Sequence, residues 1–137
     1  MPSLTSVLET SLYVDDLDRA SRFYEETFGL TRIHSDDRLR AYSVGDRSVL
    51  LLFKRGASNR VTQLPEGKLG PHDGSGPLHL AFSTSAEDLP TWEKLLAARG
   101  IAIETRIRWP RGGTSIYFRD PDNHSVELAT PGVWSIY

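Results

Sequence analysis

Two side chains in this sequence have the chemistry of metal ligands and stand in strand-like segments: His79, in Leu78-His79-Leu80-Ala81-Phe82, and Glu127, in Ser125-Val126-Glu127-Leu128-Ala129. Imidazole suits Zn, Fe, Ni or Mn. A carboxylate on an interior face needs a partner, and a cation is one. The period of two along a strand puts Ser125, Glu127 and Ala129 on one face and Val126 with Leu128 on the other. Each residue also has a plainer reading: a hydrogen-bonded core histidine, and an exposed acid on a half-solvated strand. Glu9 is the third candidate, since it occupies the place in an internal repeat that His79 occupies in the second copy. An ion pair with Arg55, Arg106 or Arg108 is its alternative.

The repeat supplies the elements that must position these groups. One copy opens Glu9-Thr10-Ser11-Leu12-Tyr13-Val14 and turns at Gly29; the other opens His79-Leu80-Ala81-Phe82-Ser83-Thr84 and turns at Gly100. Glu9 and His79 are 70 apart (79 − 9) and the glycines 71 (100 − 29), which predicts two similar half-domains sharing a site. Val7 to Val14 reads as a strand. Asp15-Asp16-Leu17-Asp18 then supplies helix-starting carboxylates, and Leu17, Ala20, Tyr24 and Phe28 follow at helical spacing. The expected helix runs from Asp18 to Phe28. Leu39 to Val44 and Ser48 to Phe53 read as strands joined by a hairpin turn at Gly45-Asp46-Arg47. From Lys54 to Pro77 the pattern dissolves into Gly, Pro, Ser, Asn and Asp, so residues 57–76 read as a linker between modules at 1–56 and 77–137. The second module reads as a strand from Leu78 to Thr84, a helix from Leu89 to Arg99, and strands from Ile101 to Ile107, Ser115 to Phe118 and Ser125 to Ala129.

Composition narrows the function classes. A hydrophobic content of 39% in 137 residues supports one domain-sized core, and a formal charge of −2 gives no nucleic-acid footprint. With no cysteine, disulfides and thiolate metal sites are excluded. Met1 to Val7 lacks the pattern of a signal peptide and no apolar run reaches membrane-spanning length, so the expectation is a soluble, cytoplasmic protein with no membrane partner.

Four separated motifs carry a resemblance that covers nearly the whole chain. They are Leu12-Tyr13-Val14-Asp15-Asp16-Leu17 with Phe23-Tyr24 and Phe28-Gly29-Leu30; Gly76-Pro77-Leu78-His79-Leu80-Ala81-Phe82; Tyr117-Phe118-Arg119-Asp120-Pro121-Asp122-Asn123-His124; and Val126-Glu127-Leu128. The sequence resembles the vicinal oxygen chelate superfamily, which includes glyoxalase I, fosfomycin and bleomycin resistance proteins, extradiol dioxygenases and methylmalonyl-CoA epimerase. The resemblance implies an α+β fold of two βαβββ modules whose curved sheets enclose a cavity. It also implies a divalent metal (Zn, Ni, Mn or Fe) held by a His in a first strand and a Glu in a last strand, positions that His79 and Glu127 match. Glu9 takes the first-strand position where many relatives have His. Self-alignment of Tyr42–Phe53 with Tyr117–Leu128 puts Leu52 opposite Glu127, so the expected ligand set is Glu9, His79 and Glu127, with open positions. Glu127 and Glu9 are the catalytic candidates. A homodimer is expected, with the apolar tail Val133-Trp134-Ser135-Ile136-Tyr137 as surface to bury.

The substrate-binding candidates are Tyr42, Phe53, Trp109, Arg111, Tyr117 and His72. The aromatics serve as pocket walls or simply as core. Arg111, with Arg106 and Arg108, is a clamp for an anion or a solvated edge. His72 reaches over the cavity or is a solvated loop residue, and His34 and His124 are expected at the surface. Three functions fit. In the favoured one, a metal-dependent lyase or isomerase chelates neighbouring oxygens of a small substrate so that the cation stabilises an enediolate or alkoxide. A metal-free, ligand-sequestering protein has no need of His79 and Glu127 at matching positions. A ring-cleaving dioxygenase is disfavoured by Glu9 in place of His.

Overall fold

The computed structural model describes residues 1–137. The chain divides into two compact units, Met1–Ser75 and Gly76–Tyr137. The first unit begins with β1 (Glu9–Val14), α1 (Leu17–Phe28), β2 (Thr31–Ser35), β3 (Leu39–Val44) and β4 (Ser48–Lys54), in the sheet order β1-β4-β3-β2. Helix α1 starts where Asp16 accepts the amide protons of Asp18 and Arg19, the usual way a short carboxylate satisfies free donors at a helix start. It stops at Gly29, whose φ of 64° is the left-handed conformation that a C-terminal cap requires. Leu17, Ala20 and Tyr24 bury its inner face; Leu12, Val14, Tyr42, Leu50 and Leu52 are buried strand residues of the same unit, and Leu39, Ala41 and Phe53 form a further buried cluster. The turn at Gly45-Asp46-Arg47 forms as expected, with the Arg47 amide bonded to the Val44 carbonyl. Residues 57–75 of the expected linker belong to this unit and carry a small hairpin of β5 (Thr62–Leu64) and β6 (Gly67–Leu69).

The second unit repeats the plan with β7 (His79–Ser83), α2 (Leu89–Ala98), β8 (Thr105–Arg108), β9 (Thr114–Arg119) and β10 (Ser125–Ala129), in the order β7-β10-β9-β8. In both units the first strand runs parallel to the last and the remaining pairs are antiparallel. This is the predicted pair of βαβββ modules in an α+β fold. Leu80, Leu89, Leu96, Ile116, Phe118, Val126, Leu128 and Ala129 are the buried apolar residues. Strand alternation places His79, Ser115, Tyr117 and Glu127 together on the sheet face opposite Leu80, Ile116, Phe118, Val126 and Leu128.

Three local expectations need correction. Strand β2, implied by the βαβββ plan, was not assigned to residues, because all five of its residues are exposed and an edge strand without burial leaves no period-two signal. The predicted strand Ile101–Ile107 begins only at Thr105: the Ile101 amide still bonds to the Leu96 carbonyl, so the chain completes the helix end before it joins the sheet. His124 is fully buried rather than at the surface, and its Nδ1 accepts the Leu78 amide at 2.8 Å just ahead of β7. It anchors the start of the strand that carries His79.

Gly113, at the entry to β9, lies against the backbone of another turn. A Cβ there would sit 2.4 Å from both the Gly132 carbonyl carbon and the Val133 nitrogen, and backbone atoms cannot swing aside as a side chain can. Gly113→Ala is expected to cost about 1–3 kcal/mol by overpacking. Chemical denaturation would detect the loss, and an unchanged midpoint would show that the turns do not meet this closely.

Candidate metal centre

Strand β7 runs beside β10 with His79 opposite Ser125, and β10 lies against β9 with Glu127 opposite Tyr117. This register brings His79 Nε2 to 3.1 Å from Glu127 Oε2. The Glu127 side chain is 8% exposed and that of His79 53%, so the pair is closed on the carboxylate side and open on the imidazole side. The other polar atom of each group is already engaged. His79 Nδ1 lies 2.9 Å from the Ser125 carbonyl, and Glu127 Oε1 accepts from Ser115 Oγ.

Those secondary contacts decide what lies between the two groups. A carbonyl only accepts, so Nδ1 carries a proton, and in the neutral ring Nε2 then presents a lone pair to a carboxylate lone pair. Two acceptors at 3.1 Å repel unless a cation lies between them. A proton, giving imidazolium, is one solution. A metal is the other: metal–N and metal–O distances of about 2.0–2.2 Å separate two ligand atoms by about 2.8–3.1 Å at octahedral angles and about 3.3–3.6 Å at tetrahedral ones. A histidine donating Nδ1–H to a backbone carbonyl is also how metal-binding imidazoles are oriented. The donor set fits a divalent ion.

Tyr117 packs its ring on His79, with centroids 6.1 Å apart and planes 27° off parallel. Burial and then the Glu127 carboxylate push its hydroxyl above the usual phenol range, which keeps it protonated at neutral pH. Trp109 donates its indole N–H to Ser115 Oγ at 2.8 Å. Ser115, fully buried, is the site residue that the sequence reading missed, since a serine in a strand carries no periodic or compositional signal.

The other candidates fall elsewhere. Within the second unit the donor set stops at His79 and Glu127, and no group of three His, Asp or Glu side chains is gathered there. Glu9 is exposed at the start of β1 in the first unit, while Arg55 pairs with Asp15 and Arg106 with Glu93. Glu9 pairs with Val49 in the sheet as His79 does with Ser125, so two residues on, Leu51 rather than Leu52 is the counterpart of Glu127. The turn before the last strand is longer in the second unit, and aligning segments of equal length slipped the register. Tyr42 is fully buried and donates its hydroxyl to Glu25 at 2.9 Å. Phe53 is buried between Tyr13 and His72, its ring 5.9 Å from the first and 4.6 Å from the second. The exposed His72 has Nδ1 2.8 Å from the Tyr13 hydroxyl. Arg111 is exposed on the turn after Trp109.

Sequence and structure comparisons identify the family. The profile of the Glyoxalase/Bleomycin resistance protein/Dioxygenase superfamily matches residues 6–128. The metallothiol transferase FosB of Bacillus licheniformis is 31% identical over 122 residues, covering 88% of this chain and 72% of FosB. The glutathione transferase FosA of Serratia marcescens is 32% identical over 129 residues, covering 91% and 80%. A crystal structure described as lactoylglutathione lyase from Agrobacterium tumefaciens superposes with a TM-score of 0.89 at 32% identity, over 98% of this chain and 99% of that one. No helix of this chain is long and apolar enough to cross a membrane. With a family match over most of its length, two repeated modules and a His–Glu pair fixed in the second, this chain belongs to the Glyoxalase/Bleomycin resistance protein/Dioxygenase superfamily.

Proposed function

We propose that the chain is a metal-dependent enzyme acting on a small molecule with two neighbouring oxygens, of lyase or isomerase type, with His79 and Glu127 as protein ligands of a divalent ion. The observation that carries this reading is the 3.1 Å approach of Nε2 to Oε2, with the remaining polar atom of each ligand already hydrogen-bonded. When bound, the ion supplies Lewis-acid polarisation of substrate oxygens. The chain's own groups do the rest. The Ser125 carbonyl fixes the His79 tautomer, Ser115 engages Oε1 and leaves Oε2 towards His79, and the protonated Tyr117 hydroxyl hydrogen-bonds the Glu127 carboxylate. Glu127 and the exposed Glu9 are the carboxylates proposed to move a proton, and Glu9 is the proposed third donor, tested by Glu9→Gln. The full-length match to a protein described as a lactoylglutathione lyase supports lyase chemistry, while the transferase relatives support thiol transfer as the competing reaction.

Calorimetric titration of metal-stripped, folded protein with Mn, Ni, Zn and Fe(II) tests the reading. About one ion per chain is expected, with binding weakening in acid because the ligands must be deprotonated. Uptake of none of the four would defeat it in favour of a metal-free, ligand-sequestering protein. Homodimerisation belongs to the same proposal, supported by Trp134 and Ile136, which are 72% and 93% exposed on the apolar tail. Sedimentation of the same samples as a 15.3 kDa monomer would count against it.

A further inference from the structure

Two hydrogen bonds run in series behind Glu127. Trp109 Nε1–H donates to Ser115 Oγ at 2.8 Å, and Ser115 Oγ–H donates to Glu127 Oε1 at 2.5 Å. The direction of this series is not free. An indole nitrogen can donate but never accept, so Ser115 must accept from Trp109, and its single hydrogen is directed to the carboxylate. That commits Oε1 and leaves Oε2 facing His79 Nε2. Ser115 is 0% exposed and Glu127 6%, so solvent does not offer the carboxylate a substitute donor. Trp109 is itself held in a closed turn, its amide bonded to the Gly113 carbonyl at 2.8 Å and its carbonyl to the Gly112 amide at 2.9 Å.

We infer that Trp109 and Ser115 are positioning residues acting in series, which fix Glu127 as a one-oxygen ligand with Oε2 aimed at the ion shared with His79. This rests on the metal reading above and adds the device that sets the carboxylate's orientation. Removing either donor leaves the Tyr117 hydroxyl, which also hydrogen-bonds Glu127, as the carboxylate's remaining side-chain partner and loosens its orientation; outer partners of this kind alter metal affinity by about 10–100-fold. Because Trp109 acts only through Ser115, its contribution vanishes once Ser115 is gone.

The test compares Mn(II) affinity, by calorimetry, in the wild type, Trp109→Phe, Ser115→Ala and the double variant. Trp109→Phe keeps an aromatic ring and removes only the N–H donor and the second ring. Each single change is expected to weaken binding by about tenfold or more, and the double variant to bind no more weakly than Ser115→Ala alone. Unchanged affinities, or losses that multiply, overturn the inference. A second arm needs no metal: in the metal-free protein, Glu127→Gln is expected to shift the Trp109 indole N–H resonance, assigned by its loss in Trp109→Phe. The same change made in Ser115→Ala should leave that resonance where it was. A wild type that takes up no Mn(II) defeats the metal reading, whereas an indole shift that survives in Ser115→Ala defeats the relay.

Discussion

His79→Ala is expected to remove stoichiometric divalent-ion binding while the second unit stays folded. The side chain is 53% exposed and hangs from the sheet face opposite the core, so truncation opens no cavity; the packing at this strand comes from Leu80, which is 9% exposed. What disappears is the one nitrogen donor, along with the contact that orients it on the Ser125 carbonyl. Loss of a direct ligand should exceed the roughly 10–100-fold effect of an outer partner, so affinity is expected to fall about a hundredfold or more. Titration calorimetry with Mn or Ni, with far-UV circular dichroism to confirm folding, reads the result. Retained affinity and stoichiometry in a folded His79→Ala protein would exclude His79 as a ligand.

Glu127→Gln is expected to act in opposite directions on metal binding and on the metal-free fold. The amide has nearly the volume of the carboxylate. Its oxygen can keep the bond from Ser115, and its NH2 can donate to the His79 Nε2 lone pair that now faces Oε2 at 3.1 Å. A buried charge is thereby replaced by a satisfied neutral group, so the metal-free protein should melt at the same temperature or higher. Ion binding should fall about a hundredfold or more, because the anionic ligand is gone. An imidazolium–carboxylate pair that served stability alone would give the reverse result. The variant would then melt lower, with no change in ion content.

The sequence by itself determined the fold class and singled out two residues of the candidate site. Strand period, helix spacing, Asp16 and Gly29 as helix boundaries and the repeat of about seventy residues all act locally, so they remain legible without coordinates. His79 and Glu127 stood out because each sits in a strand whose pattern can be read from its neighbours and matches a ligand position implied by the family resemblance. Tertiary structure alone decided the rest. Strand β2 is exposed throughout and left no hydrophobic pattern. His124 looked like a turn residue, and only the return of the chain beside Leu78 shows why an imidazole is buried there. The parallel register of β7 with β10 sets the His79–Glu127 distance, because pairing between segments 46 residues apart (125 − 79) depends on sheet assembly and not on local preference. Ser115 and Trp109 acquire their role only through that assembly: a hydroxyl and an indole become a directed pair of donors when β9 lies beside β10 and closes water away from the carboxylate.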